Sequence, residues 1–203
     1  MRTDQRLWRT YTGTLALTLA GSALYLAVAG SGDEHIRLLL RLTARLALIA
    51  LLVVFVARPL RQIVRTPLTL ALLRYRPLAG LAFAGIHTGH LLLILYRAWQ
   101  VPAFDFHIAE HTVGGIAYIV MFAMVITTFH GPARLIGPRA WRILHKSGLY
   151  LLTAIFAQTQ LPESLATIST MNWPLVVLLL LALVIRLTAF LAIRTNHSQH
   201  SSN

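Results

Sequence analysis

Residues Arg74–Tyr96, RYRPLAGLAFAGIHTGHLLLILY, decide how the chain is read. The stretch is apolar, long enough to cross a bilayer as a helix, and carries two histidines, His87 and His90, well inside it. A titratable imidazole in hydrocarbon is costly and is by default a functional residue. Gly80, Gly85 and Gly89 stand beside the histidines and leave room for a bulky group close to the backbone.

The rest of the chain repeats the apolar theme. Of 203 residues, 57% are hydrophobic and only 12% charged, with a mean hydropathy of +0.67. Repeated continuous Leu/Ala-rich runs of about 20 residues predict an all-α, polytopic membrane bundle; a β-barrel would alternate instead. Six spans are expected: Tyr11–Gly30, Ile36–Ala57, Pro77–Tyr96, His111–Phe129, Trp141–Leu161 and Pro174–Ile193. Ala27-Val28-Ala29 resembles a signal-peptidase site, but the run before it is longer than a typical signal core, so the first span is kept as a helix. Thr66–Leu73 is expected as a short interfacial helix, and Pro77 in the first turn of span 3, where proline is tolerated. Pro162 is expected to stop span 5. Residues 1–194 then form one membrane domain, and the polar tail 195–203 is expected to be disordered.

A net charge of +12 would suggest nucleic acid in a soluble protein. Here the cations cluster between spans and set topology, so no nucleic-acid partner is expected. Six spans put both termini on one side, and the basic loops after spans 2 and 4 fall there too. Asp33, Glu34, Asp105, Glu110 and Glu163 fall on the other side. By the positive-inside rule the termini are cytoplasmic, with lipid as the surrounding partner.

There are no cysteines, which excludes thiolate-held haem and iron–sulfur clusters within this chain. Histidine is left as the strongest ligand for a transition metal. His90 lies about 18–20 Å along span 3 at 1.5 Å per residue, with His87 one turn deeper. His145 lies in the first turn of span 5, on the cytoplasmic side, while His107 and His111 lie at the outer surface. Taken singly, a membrane histidine is often just a helix-to-helix hydrogen bond, and Gly85-x-x-x-Gly89 plain helix packing. Two histidines among glycines, with another on a neighbouring helix, point to haem, which needs imidazoles from different helices and small residues where its ring packs. Arg37, Arg41 and Arg45 form one stripe on span 2. Arg45, the deepest, calls for an anionic partner such as a haem propionate or a quinone oxygen; Arg186 in span 6 is placed to snorkel to the cytoplasm.

Arg45 with the following run to Pro59 and Leu60, the stretch Arg74–His90, and Gly114–Tyr150 together resemble the ferric-reductase-like transmembrane family, closest to its MsrQ/YedZ-type haem b membrane subunits. The likeness covers about residues 36–160. Its markers are Arg76, Gly80, Leu81 and His90, then Trp141, Leu144, His145 and Tyr150. The resemblance implies haem iron held by His90 and His145, and one or two haems b. It also implies a second span-5 histidine 13 residues after His145, where this chain has Gln158; His87, His107 or His111 are the substitutes at hand. It further implies an electron-transfer subunit of an oxidoreductase system, with no catalytic residue of its own. Electrons would come from quinol or from a cytoplasmic flavin reductase carrying FMN or FAD, and would go to a periplasmic oxidoreductase. No GxGxxG dinucleotide fingerprint is present. The alternatives are a stand-alone ferric or oxygen reductase and, in another class, a haem-free membrane scaffold or transporter.

Overall fold

The computed structural model describes the backbone of residues 2–100, 108–166 and 173–200, and the side chains of 4–100, 112–159 and 173–192. Among the described residues every regular element is an α-helix: α1 Arg2–Ala29, α2 Asp33–Ile63, α3 Pro67–Gln100, α4 Ile108–Ile126, α5 His130–Ala166 and α6 Trp173–His200. Asp4–Ala29, Asp33–Ile63, Pro67–Gln100 and Trp173–Ala192 are each long and apolar enough to cross a membrane. Thr112–Ile126 and His130–Thr159 meet the same test jointly, bent by 110° between them. Six helices cover the six apolar stretches, but among the described residues four pass this test singly and the bent pair passes it as one, so four or five of the six expected spans meet it.

Their ends differ from the expected ones, and local chemistry explains why. α3 is continuous from Pro67, so residues 66–73 are not a separate interfacial helix and Pro77 lies inside a helix rather than in its first turn. Thr66 starts it: the Thr69 amide donates to Thr66 Oγ1 (3.3 Å) and the Thr66 amide donates to Thr69 Oγ1 (3.2 Å). This is a reciprocal cap, followed by proline at the first helical position. α2 runs through Pro59 to Ile63. Proline has no amide for the carbonyl four residues back and crowds it. That carbonyl, Phe55 O, accepts instead from Arg186 Nη1 at 3.0 Å, and the adjacent Val54 O accepts from Arg76 Nε at 3.1 Å. Neighbouring helices commonly satisfy proline-freed carbonyls this way in membranes. Arg186 therefore does not snorkel. It is clamped across three helices, with Nε donating to the Tyr150 hydroxyl at 3.0 Å and its guanidinium over the Phe55 and Tyr150 rings.

α4 ends at Ile126, and Thr127–Phe129 tighten into a turn. α5 starts at His130, breaks at Gly137 (φ 74°, a left-handed backbone suited to glycine) and passes Pro162. α6 continues as helix to His200, so the expected disordered tail does not begin at Thr195; no glycine or proline follows Pro174 to stop the helix.

The core lies between α2 and α3, with α5 and α6 closing it: Ala47, Leu48, Leu51 and Phe55 meet Leu81, Ala84, Leu152 and Leu179. α1 packs on the outside of α3. At one end, rich in cations, Asp4 pairs with His130 and Trp8 stacks on Phe129. At the other, Asp33 at the head of α2 accepts from Arg97 Nε at 2.7 Å and Arg37 Nε at 2.6 Å, tying α2 to α3. Arg97, then Arg37, hold the Asp33 carboxyl below its usual range. A carboxylate with a lowered folded pKa contributes stability above its unfolded pKa and loses it as pH falls through the folded one. Unfolding midpoints measured from pH 7 to pH 3 should therefore drop less in Asp33→Asn than in the parent below about pH 4; parallel acid limbs would show that the pair carries no stability.

Candidate cofactor cavity and the buried histidines

A cavity of about 390 Å³ opens inside the bundle where α2 ends and α3 and α5 begin. Its size falls in the range of small-ligand sites. Its walls are apolar, from Leu51, Leu81, Ala84, Met121, Leu149 and Leu152 among others. Arg58, Arg76, Arg142, Lys146 and Arg186 are the cations on it, and no acidic residue lines it among the described residues. Gly80 keeps the α3 wall low; a Cβ there would meet only Val54, at 4.0 Å.

His145 is the histidine on this cavity. Its Nε2 lies 3.1 Å from Thr127 Oγ1. That hydroxyl gives its proton to the Ala123 carbonyl (2.7 Å), so it accepts from His145 Nε2–H and leaves the lone pair on Nδ1. Trp141 stacks on the imidazole at 4.2 Å and donates its indole N–H to the Thr127 carbonyl at 2.7 Å. Trp141 and Thr127 thereby fix both the ring and the α4–α5 bend beside it.

His87 and His90 lie elsewhere. His90 Nδ1 is 2.8 Å from Thr43 Oγ1 on α2, whose proton goes to the Leu39 carbonyl. The His90 ring is thus tied to α2, by Thr43 and by a further hydrogen bond to the Leu40 backbone. His87, only 8% exposed, points toward α4 and α5: its ring stacks on Tyr118 (4.7 Å), Phe83 (5.5 Å) and His90 (5.3 Å), and touches Phe156 (5.1 Å). Its Nδ1 and the Tyr118 hydroxyl are buried without a hydrogen-bond partner among the described residues. Phe83 and Phe156 close this cluster off from the cavity.

These positions set the candidate ligands apart. His87 is level with Phe156 on α5, and His145 is eleven residues earlier on that helix, about 16 Å at 1.5 Å per residue. Two imidazoles on one iron stand about 4 Å apart, twice a metal–nitrogen bond of about 2 Å. His145 cannot share an iron with His87, nor with His90, which is a turn further along α3. What faces His145 from α3 is the Arg76–Gly80 turn. Gln158 is exposed, and Phe156 occupies the α5 position that faces His87.

Two further expectations change. Gly85 and Gly89 face α1, not a cofactor: a Cβ on Gly85 would strike Thr14 and come within 2.6 Å of the Tyr11 carbonyl, and one on Gly89 would come within 2.7 Å of Thr18. The Tyr11 hydroxyl also bonds Thr88 Oγ1 at 3.1 Å across this seam. Arg45 is half-buried and does not line the cavity; Arg58, Arg76, Arg142, Lys146 and Arg186 hold the place foreseen for it. The side chains of His107 and His111 lie outside the described residues. Among the described residues, no group of three or more His, Asp or Glu converges as a metal site. The missed participants carried signals: Arg186 is the one charge within the apolar run of α6, and Pro59 follows Phe55 by four residues.

Haem b asks for an axial imidazole, apolar contact over its ring and cations for two propionates. The cavity supplies each of these once. Among the described residues it does not supply a second imidazole. Comparisons with protein-family models, curated proteins and solved structures find no match to this chain.

Proposed function

We propose that the chain is a six-span bacterial inner-membrane protein, with both termini in the cytoplasm, that binds haem b in this cavity and moves electrons across the membrane. The donor is quinol or a separate cytoplasmic flavin reductase. The acceptor is an outer-side oxidoreductase. One observation carries the reading: an imidazole in the wall of an apolar cavity whose charged residues are all cations. Haem bound there supplies one-electron chemistry. The chain's own residues do the rest. His145 would hold the iron through its imidazole, which Thr127 and Trp141 orient. Arg58, Arg142 and Lys146 offset propionate charge, as do the remaining guanidinium nitrogens of Arg76 and Arg186. The leucine walls exclude water and so favour the reduced, less charged state. The cation-rich end faces the cytoplasm by the positive-inside rule.

A reduced-minus-oxidised spectrum of protein purified after haem-replete expression should show a haem b band. His145→Ala should lose most of it, and His197→Ala should keep it. Absence of any haem band would end this reading. A second reading, a haem-free bundle, draws support from the threonine bonds of His90 and His145, which are ordinary interhelical contacts; the same spectrum decides between the two.

A further inference from the structure

We infer that a haem in this cavity receives one protein imidazole, from His145, and keeps its second axial position open to small diatomic ligands such as carbon monoxide. This rests on the haem reading above. Among the described residues His145 is the only histidine lining the cavity. The α3 wall presents Pro77, Gly80 and Ala84, none of which carries a donor side chain. Of the other described imidazoles, His87 and His90 stand about 16 Å or more further along the bundle axis, behind Phe83 and Phe156, and His130 lies outside the cavity at the α4–α5 bend, with its Nδ1 2.6 Å from Asp4. His90 is anchored there by Thr43. The two thioethers on the cavity, Met121 and Met124, belong to α4, on the same side as His145: Met124 sulfur lies against Gly148, less than a turn from His145 on α5. They stand beside the imidazole, not across from it. The remaining polar side chains on α3 and α2 are the guanidinium groups of Arg76 and Arg58, which have no lone pair to give a metal.

Haem iron with imidazoles on both faces is low-spin and closed. With one imidazole it is high-spin, and the ferrous form takes carbon monoxide through a new iron–carbon bond with no other bond broken. The test uses the full chain in detergent micelles. Ferric protein should give a high-spin resonance signal. Ferrous protein, reduced with dithionite, should convert completely on titration with carbon monoxide, at one equivalent per haem. A low-spin ferric signal together with a ferrous spectrum that carbon monoxide does not move would overturn the inference and leave the haem reading standing. Protein without haem would overturn the haem reading itself. Gly80→Ala and Gly80→His provide a second arm, since the site has space for a side chain. Gly80→His should turn the signal low-spin and weaken carbon monoxide binding at least tenfold, and Gly80→Ala should not. A Gly80→His protein with the parent's spectrum and affinity would overturn the placement of the open position at the α3 wall.

Discussion

Gly85→Val is expected to destabilise the folded bundle by about 3 kcal/mol or more, the upper part of the range for overpacked sites. The reason is what surrounds the absent side chain. A Cβ at Gly85 meets the Thr14 side chain, the Tyr11 carbonyl at 2.6 Å and the Leu15 amide nitrogen at 3.1 Å. Two of the three are backbone atoms of α1, which cannot swing aside as a side-chain tip can. α1 must move bodily, and with it the Tyr11–Thr88 bond and the Trp8–Phe129 stack. Gly13→Val on α1 is the matched control, because nothing lies within 4 Å of a Cβ there. Its cost should be only that of a branched residue in a helix, a few tenths of a kcal/mol or a small gain over glycine. Thermal unfolding of both variants in the same detergent gives the comparison. Equal midpoints for Gly85→Val and Gly13→Val would mean that α1 is not seated on α3 through this glycine.

That glycine marks how far sequence alone reaches. Composition and run length gave the helical class and the six apolar segments, because burying backbone polar groups in lipid leaves helices as the solution for continuous runs. Which way Gly85 points was not legible: a glycine has no side chain to betray its face, and the histidines two and five residues on suggested a cofactor where there is a helix. The helix end at Pro59 was misplaced for a related reason. Proline's cost depends on whether a distant residue can satisfy the freed carbonyl, and Arg186 is far from Phe55 in sequence. Spacing between residues of one helix is legible from sequence, since 1.5 Å per residue holds along one axis. The offset between α3 and α5 is a tertiary quantity, and it sets which α5 residue faces each histidine of α3. The cavity's cations were visible as topology signals, but their convergence around His145 was not.

Arg186→Met should cost about 1–3 kcal/mol by leaving the Phe55 carbonyl without a donor in an apolar setting, and the cost should shrink when Pro59 is replaced by alanine. The two effects are linked by one acceptor. Pro59 removes the amide that would have bonded Phe55 O, and Arg186 Nη1 takes the vacancy at 3.0 Å. In Pro59→Ala the helix can bond that carbonyl itself, so the guanidinium is no longer needed there. The stacking of Arg186 over Phe55 and Tyr150, at 4.0 and 4.3 Å, does not depend on Pro59 and persists in both backgrounds. A double-mutant cycle isolates the shared term: the loss in the Arg186→Met, Pro59→Ala pair should fall short of the summed single losses by about 1 kcal/mol or more. Additivity within about 0.5 kcal/mol would show that the carbonyl finds another donor. A charge within the apolar run of α6 is expensive in lipid unless its donors are occupied. The predicted coupling therefore identifies why this arginine stands in an apolar run: it completes a helix that a proline would otherwise break, at the edge of the cavity that holds His145.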